Sequence, residues 1–266
     1  MTEAAFFRVE GDRYVPLEGS RGYWRHNSLH GRSLVGLIGA EMERRHGQPG
    51  MVPARFNVDM FRLAPFAPLE IETRVLRKGS RLQLVEATLI AGGNAYARAQ
   101  CQFLRRANVE PEGQIWSPAP WDVPPPGELP EGKGYKRNSM FEFLPIEGDL
   151  NTYGPRKIWV REFAELIEGV ALTPWTRLAL IADFASPWLN GTEKGVHFIN
   201  TDAVLHAHRM PIGEWIGVET TGREASGGIA VGHCRIYDEA GPLGHVSCTA
   251  LTNTRSEQSP DLLRLK

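Results

Sequence analysis

The sequence predicts an α+β fold made of a duplicated unit, in which a strand pair, one long helix and four further strands occur twice. Three observations predict it. A proline-rich stretch divides the chain near its middle, each arm carries one apolar segment of helical period, and in both arms that segment is followed by β-branched and apolar runs separated by turn residues.

The first arm opens with a hairpin-like pair, Phe6 to Val9 and Arg13 to Val15, turning at Glu10-Gly11-Asp12. From Ser33 to Arg45, Leu34, Val35, Leu37, Ile38 and Met42 recur at helical spacing, and Gly47 and Pro49 stop the helix. Strands follow at Arg55 to Leu63, Leu69 to Lys78, Arg81 to Ala91 and Ala95 to Leu104, with turn signals at Pro65 to Pro68, Gly79-Ser80 and Gly92-Gly93-Asn94.

Between Asn108 and Tyr135 stand seven of the chain's 19 prolines, so this stretch reads as a connector, not as helix or central strand. The second arm then repeats the order. Met140 to Leu144 and Lys157 to Arg161 are short strands, and an apolar helix runs from Pro174 to about Ala185. Strands are expected at Phe198 to Arg209, Trp215 to Glu224, Gly228 to Tyr237 and Pro242 to Thr252. The arms agree in detail: Leu37-Ile38-Gly39 answers Leu180-Ile181-Ala182-Asp183, and Arg62 with Pro65 answers Arg209 with Pro211. The expected organisation is a first unit over 1–107, a linker over 108–135, a second unit over 136–256 and a tail over 257–266.

A lone helix that is apolar on most sides needs a sheet curled around it, which is the hotdog architecture. The expected fold is therefore a double hotdog, two fused units each with a long central helix wrapped by an antiparallel sheet. A pseudo-twofold axis would join the two sheets into one surface and bury the helix starts at the seam.

Composition excludes several function classes. Net charge is −1 and Lys and Arg are scattered, so no phosphate-tracking stripe for nucleic acid exists. Apolar runs such as Leu34 to Ala40 fall far short of the roughly 20 residues that span a bilayer. Met1 to Glu10 carries Glu3 and Arg8 and lacks an apolar core, so no secretory signal is visible and a cytoplasmic location is expected. The three cysteines, Cys101, Cys234 and Cys248, form no C-x-x-C pair, which argues against a disulfide framework or thiolate zinc site. His206 and His208 share one strand face without a carboxylate at ligand spacing, so no metal is expected there.

Across nearly its whole length the chain resembles the TesB-like, double-hotdog acyl-CoA thioesterase family. In the first arm the resemblance rests on Trp24, His30-Gly31, the run Phe56 to Arg62 with Pro65, Arg77-Lys78-Gly79, Val85-Glu86-Ala87 and Ala97-Arg98-Ala99. In the second it rests on Ala182-Asp183-Phe184, His208-Arg209 with Pro211, Gly213-Glu214-Trp215 and the run Tyr237 to Gly244. It implies hydrolysis of an acyl-CoA substrate without metal or organic cofactor. Assembly of double-hotdog subunits into a homo-oligomer stays open. Many relatives carry a glutamine on the last strand, where this chain offers Cys248 or Thr249; relatives also place a Ser or Thr after the second helix, and Thr201 is the nearest match.

Thioester hydrolysis needs a base or nucleophile and a donor for the developing oxyanion. Asp183 stands alone in an apolar helix, where an idle carboxylate is costly to bury, although a satisfied structural acid would look the same. His30-Gly31-Arg32 at the first helix start offers free backbone N–H groups and the positive end of the helix dipole, or else merely starts the helix. In related single-hotdog enzymes a His-Gly turn faces an acid of the other subunit. Nine residues on from His30 is Gly39 and nine on from Pro174 is Asp183, so each arm keeps one half of such a pair. One competent site and one degenerate site, made by Thr173-Pro174-Trp175 and Gly39, are expected.

Arg32, Arg62 and Arg209 are candidates for the CoA phosphates, and Trp175 and Trp188 for an acyl tunnel. Two other functions compete. One is a non-catalytic acyl-CoA or acyl-lipid binding protein on the same fold. The other is a hydratase, for which a D-x-N-x-x-H or His-Phe-Pro-Gly segment is missing.

Overall fold

Caps set both helices. The computed structural model describes residues 5–107, 109, 112–117, 121–129, 136–137, 140–149 and 153–253, so the expected tail over 257–266 lies outside the described residues. In α1 (Gly31–His46) the ring Nδ1 of His30 accepts the Arg32 backbone N–H at 3.1 Å, and the Gly47 N–H closes the last turn on the Glu43 carbonyl at 2.7 Å. In α2 (Pro174–Asn190) the Thr173 hydroxyl accepts the Thr176 N–H at 3.0 Å and Pro174 takes the first helical position. The second helix continues past Ala185 and through Pro187 to Asn190, beyond the expected end. Pro187 lies in the last turn, where breaking one ladder bond costs least.

The strands of the first half are β1 (Ala5–Glu10), β2 (Arg13–Pro16), β3 (Met51–Met60), β4 (Glu70–Lys78), β5 (Leu82–Ala91) and β6 (Asn94–Arg105). Before α2 come β7 (Lys136–Arg137), β8 (Phe141–Glu147), β9 (Lys157–Glu162) and β10 (Glu165–Ile167). After it come β11 (Gly191–Thr192), β12 (Gly195–Val196), β13 (Phe198–Asn200), β14 (Asp202–Ala207), β15 (Trp215–Ser226), β16 (Ile229–Asp238) and β17 (Gly241–Thr252).

A 12-stranded antiparallel sheet runs in the order β4-β5-β6-β3-β14-β17-β16-β15-β9-β8-β7, with β13 paired to β17. Outward from the central pair, β3 and β14, the order is the same on both sides: β6, β5, β4 against β17, β16, β15. That central pair is antiparallel, from Asp202 opposite Asp59 to His206 opposite Arg55, and it joins strands from the two halves edge to edge. Among the described residues the fold is thus mixed α and β, with one large antiparallel sheet and two α-helices.

Both helices lie against the sheet and against each other, and the chain is continuously buried from Arg32 to Gly39 and from Leu178 to Ser186. Small residues make the helix crossing close. A Cβ placed on Gly39 would meet the Ala179 Cβ at 2.7 Å, and one on Gly36 would meet Leu180 Cδ2 at 2.7 Å.

The halves differ from the expected repeat in three ways. The hairpin β1–β2 forms a separate small sheet in which β1 pairs in parallel with β10 of the other half, whereas β8 and β9 extend the main sheet beyond β15. The strand expected over Phe198 to Arg209 breaks at Thr201, because β13 pairs with β17 alone while β14 also pairs with β3. Finally, the proline-rich stretch is anchored at one place: Trp121 packs against Trp159 and Tyr237 at 4.7 and 4.1 Å over Gly217, and Trp159 Nε1 donates to the Pro124 carbonyl, while Val109, Ile115 and Trp116 are exposed. Among the described residues no helix is long and apolar enough to cross a membrane.

Gly39→Ala is expected to destabilise the protein. Overpacking at a crossing with no room costs about 1–3 kcal/mol, more than the up to about 1 kcal/mol gained in helix propensity. Urea unfolding should give a lower midpoint; an unchanged or higher one would mean that the crossing is not tightly constrained.

Candidate functional site

The start of α1 meets the middle of α2 across the seam. A Cβ built on Gly31 would lie 2.9 Å from both carboxylate oxygens of Asp183, so the acid is wedged against the Gly31 backbone and only glycine leaves it room. Asp183 is 7% exposed. Its Oδ1 accepts a hydrogen bond from Asn200 Nδ2 at 2.8 Å, and the same amide also reaches the Asp202 carbonyl, which fixes its orientation. Burial pushes the Asp183 carboxyl above its ordinary value, against the opposing pull of the Asn200 bond and the Arg32 charge. Pro187, four residues on, has no N–H to return to the Asp183 carbonyl, so the helix ladder is open at this residue.

His30 is held on both sides. Its backbone N–H donates to the Ser20 carbonyl at 2.8 Å, and its Nδ1 accepts from Arg32. Burial, aided by the Arg32 charge, lowers the imidazole to about 3. The ring is therefore neutral near pH 7, with its hydrogen on Nε2. With the His30 and Arg32 amides engaged, the Gly31 N–H is left at the positive end of α1 without a protein acceptor among the described residues.

These groups line a cavity of about 280 Å³ whose walls include Leu29, Leu34, Met60, Val196, Phe198 and Leu251. His30, Gly31, Asp183, Asn200 and Thr201 meet in it, and exposed Arg62 lines it with its guanidinium over the Tyr96 ring at 4.9 Å. The Thr201 hydroxyl donates to the Thr249 carbonyl at 3.2 Å.

Other candidates lie elsewhere. Cys248 is buried and does not line the cavity; burial pushes its thiol up to about 12, leaving no thiolate near neutral pH. Thr249 is tied to Asp202 through its N–H and is not in the cavity wall either. Arg209 forks onto Asp238, with both nitrogens at 2.6 Å, away from the cavity, so it is no phosphate partner for a ligand there. Arg32 is buried in an ion pair with Glu162 and cannot reach a solvated phosphate. Trp175 and Trp188 are core residues outside the cavity, and Trp24 lines it instead.

The second, pseudo-symmetric position is closed. Aligned on the caps, Thr173 matches His30, Pro174 matches Gly31, and Asp183, ten residues past its cap, matches Ala40 and not Gly39. Proline offers no N–H, alanine no acid, and the Trp175 indole fills the space by donating to the Gly39 carbonyl at 2.9 Å.

Asn200 escaped the sequence reading, although a lone polar residue just before Thr201, in a short apolar strand, was its one local signal. A carboxylate, a carboxamide and a free amide N–H beside an apolar chamber can activate water and stabilise the oxygen of a carbonyl under attack. Among the described residues no group of three or more His, Cys, Asp or Glu could hold a metal ion.

Comparisons with known proteins bear on the family and the fold. The sequence profile described as the acyl-CoA thioesterase N-terminal domain matches residues 20–104, and that of the C-terminal domain matches residues 117–251. No curated protein matches the chain. Among solved structures, the tesB protein of Mycobacterium avium subspecies paratuberculosis is similar at 16% identity and a TM-score of 0.69, with 92% of this chain and 95% of that one covered. A conserved protein with a hot dog fold from Alicyclobacillus acidocaldarius gives 14% and 0.70, covering 93% and 96%. The acyl-CoA thioesterase II TesB2 of Mycobacterium marinum gives 16% and 0.63, covering 92% and 94%. These structures share the fold, and the two domain profiles, matched in order along most of the sequence, place the chain in the TesB-like acyl-CoA thioesterase family.

Proposed function

We propose that the protein is a double hotdog that hydrolyses an acyl-CoA thioester to free acid and CoA at the cavity between Gly31 and Asp183. The unit and linker boundaries set out from the sequence are retained in this reading. One observation carries it: the sole carboxylate in the cavity wall among the described residues touches the backbone of the helix start whose amide is free.

In this reading the acyl chain occupies the apolar chamber and the thioester oxygen accepts the Gly31 N–H, where the α1 dipole favours negative charge. Asp183 takes a proton from water as the water oxygen adds to the acyl carbon. The C–S bond then breaks, and the proton passes to the CoA sulfur. Direct attack by Asp183, with an anhydride hydrolysed afterwards, uses the same geometry. Asn200 holds Oδ1, so Oδ2 is the oxygen left to act. The absence of the family glutamine favours a second reading, binding of acyl-CoA without hydrolysis; against it, Asn200 supplies a carboxamide beside the acid.

Asp183→Asn should lower kcat/KM by about 10²-fold or more, the loss typical of a general base, with an unchanged circular dichroism spectrum. Thiol release across acyl-CoAs of graded chain length measures it; an undiminished rate removes Asp183 from the chemistry, and no release from the wild type on any chain length favours the binding reading. Asn200→Ala removes a bond that stabilises the ionised carboxylate, so the Asp183 carboxyl should titrate higher and the acid limb of kcat/KM should move to higher pH. A limb that stays or falls would contradict this. Arg62→Ala should raise KM for acyl-CoA about tenfold, the loss of one charge-assisted contact, and leave KM for an acyl N-acetylcysteamine thioester unchanged. Equal effects on both substrates would detach Arg62 from the phosphates.

A further inference from the structure

Behind the cavity lies a buried ion pair that joins the two halves. Arg32, next to Gly31 in α1, pairs with Glu162 at the end of β9, and the side chains of both are 2% exposed. The guanidinium lies over the Phe141 ring at 4.1 Å and near Phe184 at 5.6 Å, so aromatic faces surround it where water would. Burial draws Arg32 down to about 9, which leaves it cationic near neutral pH. The Glu162 carbonyl is also engaged, accepting Arg177 Nη1 from α2 at 2.7 Å. Glu162 thus touches both helices, one through its carboxylate and the other through its backbone. A pair so deeply buried is a poor source of net stability, which leaves its place beside the site to be explained.

The groups that face Asp183 are few. From the cap of α1 comes His30, which is neutral, and from α1 itself Arg32; before them comes Tyr23, and from β17 comes Cys248, both pushed upward by burial and so uncharged near neutral pH. Asn200 from β13 is polar without charge. Arg62 lines the same cavity, but it is exposed and its guanidinium lies over the Tyr96 ring. Arg32 is therefore the one buried charge facing the carboxylate among the described residues, and Glu162 is its counter-charge.

We propose that the Arg32–Glu162 pair is the positioning device of the site. Arg32 pins the start of α1 to the second half and supplies the cationic field on Asp183, while Glu162 sets how much of that field the carboxylate receives. This rests on the reading of Asp183 given above. A purely structural pair would lose activity in the same way whichever partner is removed. A field-setting pair gives opposite signs: without Glu162 the full Arg32 charge favours ionised Asp183, and without Arg32 nothing does.

The test is the pH profile of kcat/KM for the full chain and for Glu162→Gln, Arg32→Met and Arg32→Lys, with Asp183→Asn as reference. Glu162→Gln should move the acid limb to lower pH and Arg32→Met to higher pH, each by about one unit, and Arg32→Lys should keep the wild-type limb. Limbs that do not move, or move in the same direction, overturn the proposal while Asp183→Asn remains inactive. Full activity in Asp183→Asn would instead overturn the reading of Asp183 itself. Should Arg32→Met fail to fold, Glu162→Gln decides: a lower limb supports the pair's role, and an unmoved one overturns it.

Discussion

The contact between the Gly31 backbone and the Asp183 carboxylate is the constraint on which the site depends. It is made across the two halves, so neither half contains it alone. Two features deliver it. Antiparallel pairing of β3 with β14 sets the halves edge to edge, and the close helix crossing at Gly36 and Gly39 lets the start of α1 reach the middle of α2. A side chain at Gly31 would take the space of the carboxylate, and bulk at Gly39 would push the helices apart. The short glycines of α1 thus serve the chemistry by serving the packing.

Duplication would by itself give two sites, and local chemistry leaves one. At the second position Pro174 replaces the glycine whose N–H is free, Ala40 replaces the acid, and Trp175 plugs the space against the Gly39 carbonyl. A twofold arrangement can diverge in this way because each helix has only one end at each site. In the proposed site one half supplies the donor and the other the acid. A buried ion pair, Arg32 with Glu162, stands beside the start of α1.

How much of this was legible in the sequence depends on the range of the interactions involved. Helix starts, turns and strand runs follow from neighbouring residues, and the long strands fall within a few residues of where periodicity places them. Asp183 was visible because an acid inside an apolar helix is a local anomaly. Arg32 looks like a candidate phosphate partner in the sequence because its partner stands 130 residues later, and nothing near Arg32 in the chain signals Glu162. Cys248 and Thr249 were misplaced for a related reason. Where a strand side chain points depends on the break at Thr201 and on pairing with β16, neither of which is encoded locally. Pro187 was in plain view four residues beyond Asp183, but its effect on the helix ladder has meaning only once the helix is known to continue past it.

A crystal structure with a hydrolysis-resistant acyl-CoA analogue, in which a methylene separates the carbonyl from sulfur, tests the central claim most directly. The carbonyl oxygen should lie within hydrogen-bond distance of the Gly31 N–H, about 2.7–3.2 Å, with the acyl carbon facing Asp183 directly or through one water. An acyl group seated elsewhere, or a carbonyl turned away from Gly31 with Asp183 out of reach, would contradict it.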